Sequence, residues 1–381
     1  MESLVNDRYT NSPNDRVLNS IIRKRNGGAP VVGMYCGYAP VELVRAMGAV
    51  PVFLCASSRK TIEAAEAVLP SNLCPLIKSS FGFIQTDSCP FYALSEAIIG
   101  ETTCDGKKKM FELISHIKPT HIMDLPQLPD EAEALEAWTT MVHKLKFFLE
   151  KTFGTKITDD RIESEIRETN QKNRLMNDFF TYAAYVPPSI SWHEMYDVIG
   201  LELVSDSNRL RQLLEAITKR LDERRSKGEF VGNTGSPRVL VSGCPVGGDA
   251  AKIFRVIEEA GGVIVAMEAC SGMKGYSIEI EENTGDPVSA LAKAYLKIPC
   301  SCMTPNQLRF DALDEMIDRF KPDAVIDVIL QACHSYNIES YRIGQHVRNN
   351  HHLPFLKVET DFGESDIGRI RTRVEALFEI L

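Results

Sequence analysis

Short apolar runs alternate with amphipathic segments in two separate stretches of this chain. In the first, VVGMY (31–35), VPVFL (50–54), AIIG (97–100) and HIMDLP (121–126) have the length and composition of buried strands. PVELVRAMGA, which opens on a proline, and DGKKKMFELISHI carry helical periodicity between them. In the second stretch RVLVSG, GGVIVAME, AVIDVIL and PFLKVE alternate with the helical patterns AAKIFRVIEEAG, PNQLRFDALDEMIDRF, ESYRIGQHVRNN and DIGRIRTRVEALFEIL. Strands that are apolar throughout need cover on both faces, and intervening helices supply it only in a parallel, doubly wound sheet. The halves also echo each other: KPTHIMD near residue 120 resembles KPDAVID near residue 323, and VVGMYCG resembles VLVSGCP. The chain is therefore expected to be α/β, with two Rossmann-like parallel-sheet domains related by pseudo-symmetry.

Between them the texture changes. From Asp130 to about Lys227 the sequence reads as long amphipathic helices with polar outer faces, broken at Val186-Pro187-Pro188. GNTGSP (232–237) is a turn-rich linker. The expected division is a helical lead-in over 1–29, a first α/β domain over 30–129, a helical segment over 130–235 and a second α/β domain over 236–381. Two apolar stripes mark the helical segment, Trp138, Val142, Leu145 and Leu149, then Ile162, Ile166, Leu175 and Phe179. Such stripes either cap the sheet of their own chain or contribute surface to a C2 homodimer.

The N-terminus is polar, and no stretch approaches the ~20 apolar residues of a bilayer span. A soluble, cytoplasmic protein with no membrane partner is expected. The formal net charge of −9 argues against binding nucleic acid. There is no G-x-x-x-x-G-K-[ST], so the chain is not itself a P-loop ATPase, and no G-x-G-x-x-G follows the first strand.

The ten cysteines carry the chemistry. In a reducing compartment they are not a disulfide framework. Cys36, Cys104, Cys244, Cys270 and Cys333 all fall at or just past the carboxyl ends of expected parallel strands, where open α/β sheets bind ligands. Cys74 lies in a loop, with a proline after it, as Cys244 does. Cys104 and Cys333 open helices, where free N–H groups stabilise thiolates and sulfide. Zinc is the competing reading. Structural zinc sites pair cysteines at C-x₂₋₄-C, and only Cys300-Ser301-Cys302 comes near that spacing. Thiols contributed singly by both domains suit an iron–sulfur cluster between the domains. Lys107, Lys108 and Lys109 read as a solvated helix face.

YAPVELVRAMGAVPV, LCPLIKSSFG, TTCDGKKKMFELI, QACHSYNIESYRIG and VETDFGESDIGRIRTRVEALFEIL together resemble the 2-hydroxyacyl-CoA dehydratase and benzoyl-CoA reductase superfamily, over most of the chain. Within it the chain is most similar to the double-cubane cluster proteins. That resemblance implies two 4Fe–4S-type cubanes bridged by sulfide, with three cysteines on each. It implies a homodimer that reduces a small-molecule substrate with low-potential electrons from a separate ATP-hydrolysing iron–sulfur activator protein. Cys74, Cys104 and Cys333 match the superfamily's cysteine motifs. Cys36, Cys244 and Cys270 are assigned as the additional three, with Cys302 in reserve for Cys270. Cys55, Cys89 and Cys300 read as structural. His334 and Glu268 are proton-donor candidates by proximity in sequence. Two alternatives stand beside this: a 2-hydroxyacyl-CoA dehydratase subunit with a single 4Fe–4S cluster, and a non-catalytic carrier of clusters or electrons.

Overall fold

The structure, a computed structural model, describes residues 13–381. Residues 1–12 of the expected lead-in lie outside the described residues, and the remainder forms helix α1 (Pro13–Asn26). The first α/β unit runs β1 (Val31–Met34), α2 (Val41–Ala46), β2 (Val50–Phe53), α3 (Ile62–Ala65), α4 (Pro75–Gln85), α5 (Pro90–Leu94), β3 (Ala97–Glu101), α6 (Asp105–Ser115) and β4 (Thr120–Met123). Four helices follow: α7 (Ala134–Phe153), α8 (Asp159–Phe180), α9 (Trp192–Glu202) and α10 (Ser207–Ser226). The second unit runs β5 (Arg238–Gly243), α11 (Lys252–Glu259), β6 (Val263–Glu268), α12 (Pro287–Tyr295), α13 (Gln307–Phe320), β7 (Ala324–Leu330), α14 (His334–His351), β8 (Phe355–Thr360) and α15 (Ile367–Phe378).

The two sheets are built alike. Each has four strands, all parallel, in the orders β2-β1-β3-β4 and β6-β5-β7-β8. The echo between the halves is thus a repeated topology. The reason is visible in burial. Every residue of β1, β3, β5, β6 and β7 is buried, so these runs tolerate no polar face, whereas edge strands β4 and β8 are only partly covered. The reversal of direction in strand order, between β1 and β3 and between β5 and β7, opens a crevice at the carboxyl edge of each sheet.

The apolar stripes of the helical segment face inward. Trp138, Val142, Leu145 and Leu149 of α7 are wholly buried, with α7 packed against α12. Ile162, Ile166 and Phe179 of α8 are likewise buried, with α8 against α2 and α10. Both stripes therefore belong to the chain's own core.

A second device joins α8 to the second unit. Asn170, Asn173 and Asn177 follow each other at helical spacing, so their amides line one face. They donate to the carbonyls of Ile280 (2.8 Å), Ile278 (2.7 Å) and Tyr276 (2.7 Å). The gripped carbonyls run from the 3-10 turn Lys274–Ser277 into the extended stretch that starts at Ile278. The Ile280 amide returns a bond to Asn170 Oδ1 at 3.0 Å.

The two α/β units touch directly at a tight loop. The Asp249 amide donates to Ser57 O (2.8 Å), and the Arg59 amide to Asp249 Oδ2 (2.7 Å). Gly248 sits in the left-handed region at φ +50°, and a Cβ there would lie 2.4 Å from Ser57 O. Only glycine allows that approach of the two backbones. Tyr38 adds a hydroxyl bond to Ile298 O at 3.0 Å.

Candidate metal-cluster site

The strands end where the cysteines begin. Cys36 follows β1, Cys104 follows β3, Cys244 directly follows β5, Cys270 follows β6 and Cys333 follows β7. Three of the thiols stand at helix N-caps, Cys74 on α4, Cys104 on α6 and Cys333 on α14. There the first-turn amides have no intrahelical partner. These amides lie beside the sulfurs of Cys74, Cys104 and Cys333 and favour their thiolates, without closing a side-chain capping bond. Cys244 is fixed differently. Gly243 turns at φ +112°, where a Cβ would lie 2.3 Å from Val328 O, and the Leu330 amide donates to Cys244 Sγ at 3.3 Å.

The sulfurs gather in two adjoining groups, each drawn from both α/β units. Cys333 neighbours both Cys244 and Cys74, and Cys74 neighbours Cys104. In the second group Cys36 neighbours Cys270 and Cys300, and the free thiol of Cys300 lies beside that of Cys302. Each of the six residues singled out in the sequence thus has at least one other cysteine as a neighbour, and Cys300, read there as structural, lies beside Cys36 and the reserve residue Cys302. Cys302 reaches Tyr38 Oη at 3.7 Å. Cys89, the N-cap of α5, holds the Tyr92 amide at 3.3 Å. Cys55 donates to Tyr35 O at 2.6 Å.

One ion cannot bridge this arrangement. Two sulfurs on one zinc at ~2.3 Å are at most about 4.6 Å apart. Among the described residues no three cysteines have sulfurs all within 4.8 Å of one another. A ligand spanning these thiols must itself be several atoms wide. The donor set, thiols with helix N-termini and glycine-rich turns aimed at them, fits an iron–sulfur cluster.

Positive charge lies beside both groups. Lys107 comes one helical turn after Cys104 and shares its face, and its ammonium donates to Tyr35 O at 3.3 Å among Cys36, Cys55, Cys104 and Glu101. Burial works to lower its pKa, but these acidic neighbours hold it well above the usual value. Lys107 therefore departs from the solvated face expected of the lysine run. Lys108 and Lys109 keep to that face, paired with Asp105 and Glu112. On the opposite side Lys274 is buried, 2.6 Å from Glu268 Oε1 and 3.3 Å from Tyr336 Oη, and faces Cys270 and Cys300. Burial pushes up the thiols of Cys36, Cys104 and Cys270. The hydrogen bond from Cys302 holds Cys300 down to about 5 and pushes Cys302 up in turn.

The proton inventory differs from the sequence expectation. Burial works to raise Glu268, but Arg309 and Lys274 keep it below the usual range, so it serves as a fixed anion. His334 is exposed on the first turn of α14. The group that can hold a proton is Glu101, wholly buried at the end of β3. Burial pushes it up to about 7, and although Oε1 accepts the Ala39 amide at 2.7 Å, Oε2 has no hydrogen-bond partner among the described residues. Its signal in the sequence was a lone acidic residue closing an apolar strand three residues before Cys104. A carboxyl raised in the fold is protonated where the unfolded chain has already ionised. Its stabilising share is complete below about pH 4.5 and is lost as pH rises to about 7. Glu101→Gln keeps the acceptor but cannot ionise. Denaturation curves at pH 5 and pH 8 should show the parent losing roughly 2–3 kcal/mol more than the variant. Equal losses would remove Glu101 as the titrating group.

Known proteins resemble this chain along most of its length. It is 41% identical to a protein of Escherichia coli (strain K12) whose name marks it provisionally as dehydratase subunit YjiM, over 95% of this chain and 94% of that protein. It is 24% identical to the (R)-phenyllactyl-CoA dehydratase beta subunit of Clostridium sporogenes, over 93% and 92% of the two chains. It is 22% identical to one of the benzoyl-CoA reductase subunits of Thauera aromatica, over 68% and 66%. With residues 36–381 matching the family described as 2-hydroxyglutaryl-CoA dehydratase, D-component, the chain belongs to that family, the match opening at Cys36 itself.

Proposed function

We propose that this chain is the iron–sulfur component of a low-potential reductase. It carries a double-cubane cluster and reduces a small molecule with electrons from a separate ATP-hydrolysing activator protein. The supporting observation is the pair of adjoining thiol groups, each built from both α/β units. Cys36, Cys74, Cys104, Cys244, Cys270 and Cys333 would hold the cluster, three to each cubane, with Cys302 in reserve for Cys270. A bound cluster of this kind supplies low-potential electrons one at a time.

The chain's own residues do the rest. Helix N-termini and the ammonium groups of Lys107 and Lys274 offset the negative charge of thiolates and sulfide. Glu101 holds a proton at Oε2 near neutral pH, within the same cleft as Lys107. The chain lacks a nucleotide-binding loop, so the drive for reduction comes from the activator. A homodimer, as the double-cubane resemblance implies, leaves the crevice of each copy to receive it. Among the described residues no helix is long and apolar enough to cross a membrane, which agrees with encounter in solution.

The second reading is a dehydratase subunit with one 4Fe–4S cluster, favoured by relatives named as dehydratase beta subunits. Iron and acid-labile sulfide per chain, measured on anaerobically purified protein, separate the two. About eight irons are expected for the double cubane and about four for the single cluster. A colourless protein with stoichiometric zinc would sink both. With the activator, ATP and a strong reductant, substrate reduction should stop when ATP is omitted.

A further inference from the structure

A second cluster of ligating side chains lies far from the cysteines. Asp314 stands on α13, and His346 and His351 stand in the last turns of α14. Nε2 of His346 and Nε2 of His351 lie 2.5 Å and 2.6 Å from the same atom, Asp314 Oδ1. Among the described residues this is the one set of three histidine, cysteine or carboxylate groups whose ligand atoms all fall within 4.8 Å. α14 begins directly after Cys333, and at ~1.5 Å per residue its far end is roughly 25 Å away. The cluster therefore plays no part in the cysteine site.

We infer that Asp314, His346 and His351 form a peripheral site for a divalent transition ion of the zinc class, which fastens α13 to the C-terminal end of α14. The donor set is chemically selective. Two imidazoles and one carboxylate suit zinc and its neighbours, while magnesium and calcium want oxygen. The rings are already held. His346 is packed edge-on to Phe310 at 5.0 Å, and its Nδ1 lies 3.1 Å from the Asn350 side-chain amide. With Nε2 on the ion, Nδ1 carries the proton, and the Asn350 amide turns its oxygen toward it, the usual outer partner of a ligating histidine.

Position favours a cation as well. The carbonyls at the end of α14 carry the negative pole of the helix, and His352 closes it in the left-handed conformation. Partial burial works to raise the Asp314 carboxyl, but the two imidazoles hold it below its usual range, so an anion faces the site. Ligand atoms on a tetrahedral zinc stand about 3.3 Å apart. Admitting the ion thus requires each imidazole nitrogen to part from Asp314 Oδ1 by less than about 1 Å, with the two nitrogens, within 4.8 Å of each other, adjusting to the same spacing, and Asp314, its side chain 39% exposed, has room to swing. The fourth position is open to water.

The test uses the full chain as purified anaerobically with its iron. Zinc chloride is titrated into the parent and into His346→Ala, His351→Ala and Asp314→Asn, with iron content measured in each. The parent should bind one more equivalent of zinc than each variant, or bind it at least about a hundredfold more tightly, with iron unchanged. Zinc should also raise the thermal midpoint of the parent alone, and a large excess of magnesium should not displace it. Equal zinc stoichiometry and affinity in all four proteins, or no zinc retained by the parent at micromolar concentration, would overturn the site. Because the readout is zinc at histidines, its failure leaves the iron count, and the functional reading built on it, untouched.

Discussion

Replacing Arg309 with methionine should destabilise the protein by about 3–5 kcal/mol, because the change leaves buried carboxylates without their cation. Arg309 is wholly buried on α13. Its guanidinium reaches Glu268 Oε2 at the end of β6 (3.1 Å), Ser242 Oγ in β5 (3.0 Å) and Glu339 Oε2 in α14 (2.5 Å), with Asp327 Oδ1 of β7 at 3.5 Å. Burial already pushes Asp327 up despite that cation, and Lys274 alone would then face Glu268. The sign with pH follows. In the variant the buried carboxylates are more easily satisfied by protonation, so its deficit should shrink as pH is lowered from 8 toward 5. Urea denaturation at the two pH values measures both effects. A deficit under about 1 kcal/mol would show that the site relaxes or hydrates without the arginine.

Replacing Cys333 with serine should remove at least half of the iron and change the visible spectrum. Cys333 has both Cys244 and Cys74 as neighbours, so it is where thiols of the two α/β units come near each other. Cys89→Ser is the matched control, since that sulfur caps α5 and faces no other cysteine. Its iron should match the parent's. If Cys333→Ser retained full iron and an unchanged spectrum, cluster ligation by these cysteines would be wrong. Cys270→Ser, Cys300→Ser and Cys302→Ser, compared the same way, identify the remaining ligand of the second group.

Most of the fold is legible in the sequence, and so is part of the site. The strands of the described residues lie where apolar runs are bounded by turns, because strands buried on both faces must be largely apolar, with the few charged positions paired or placed at their ends. Placement of cysteines after those strands follows from the same pattern. What stays hidden in a sequence is contact between residues distant along the chain. Cys300 and Cys302 lie on the loop after α12 rather than at a strand end, so nothing local ties them to Cys36. Glu101, Lys274 and Arg309 look like surface residues until the packing that buries them is known, as does half-buried Lys107. The stripes of α7 and α8 were open between two partners, because amphipathicity states that a face is covered and not what covers it.

The asparagine ladder of α8 bears on how this chain can change over generations. Asn170, Asn173 and Asn177 grip carbonyl oxygens, and every residue type offers the same carbonyl. The side chains of Tyr276, Ile278 and Ile280 are not read by these bonds, so substitutions there leave the grip intact. On the helix the tolerance is reversed. Asn→Asp at any of the three would turn an amide donor into an anion facing a carbonyl. Cys270 and Lys274 lie just ahead of the gripped segment, so drift along that segment can proceed while the thiol and the ammonium keep their place. Variation should therefore accumulate at exposed Ser277 and Glu279 before it reaches 170, 173 and 177, while buried Tyr276 and Ile280 are held by the core.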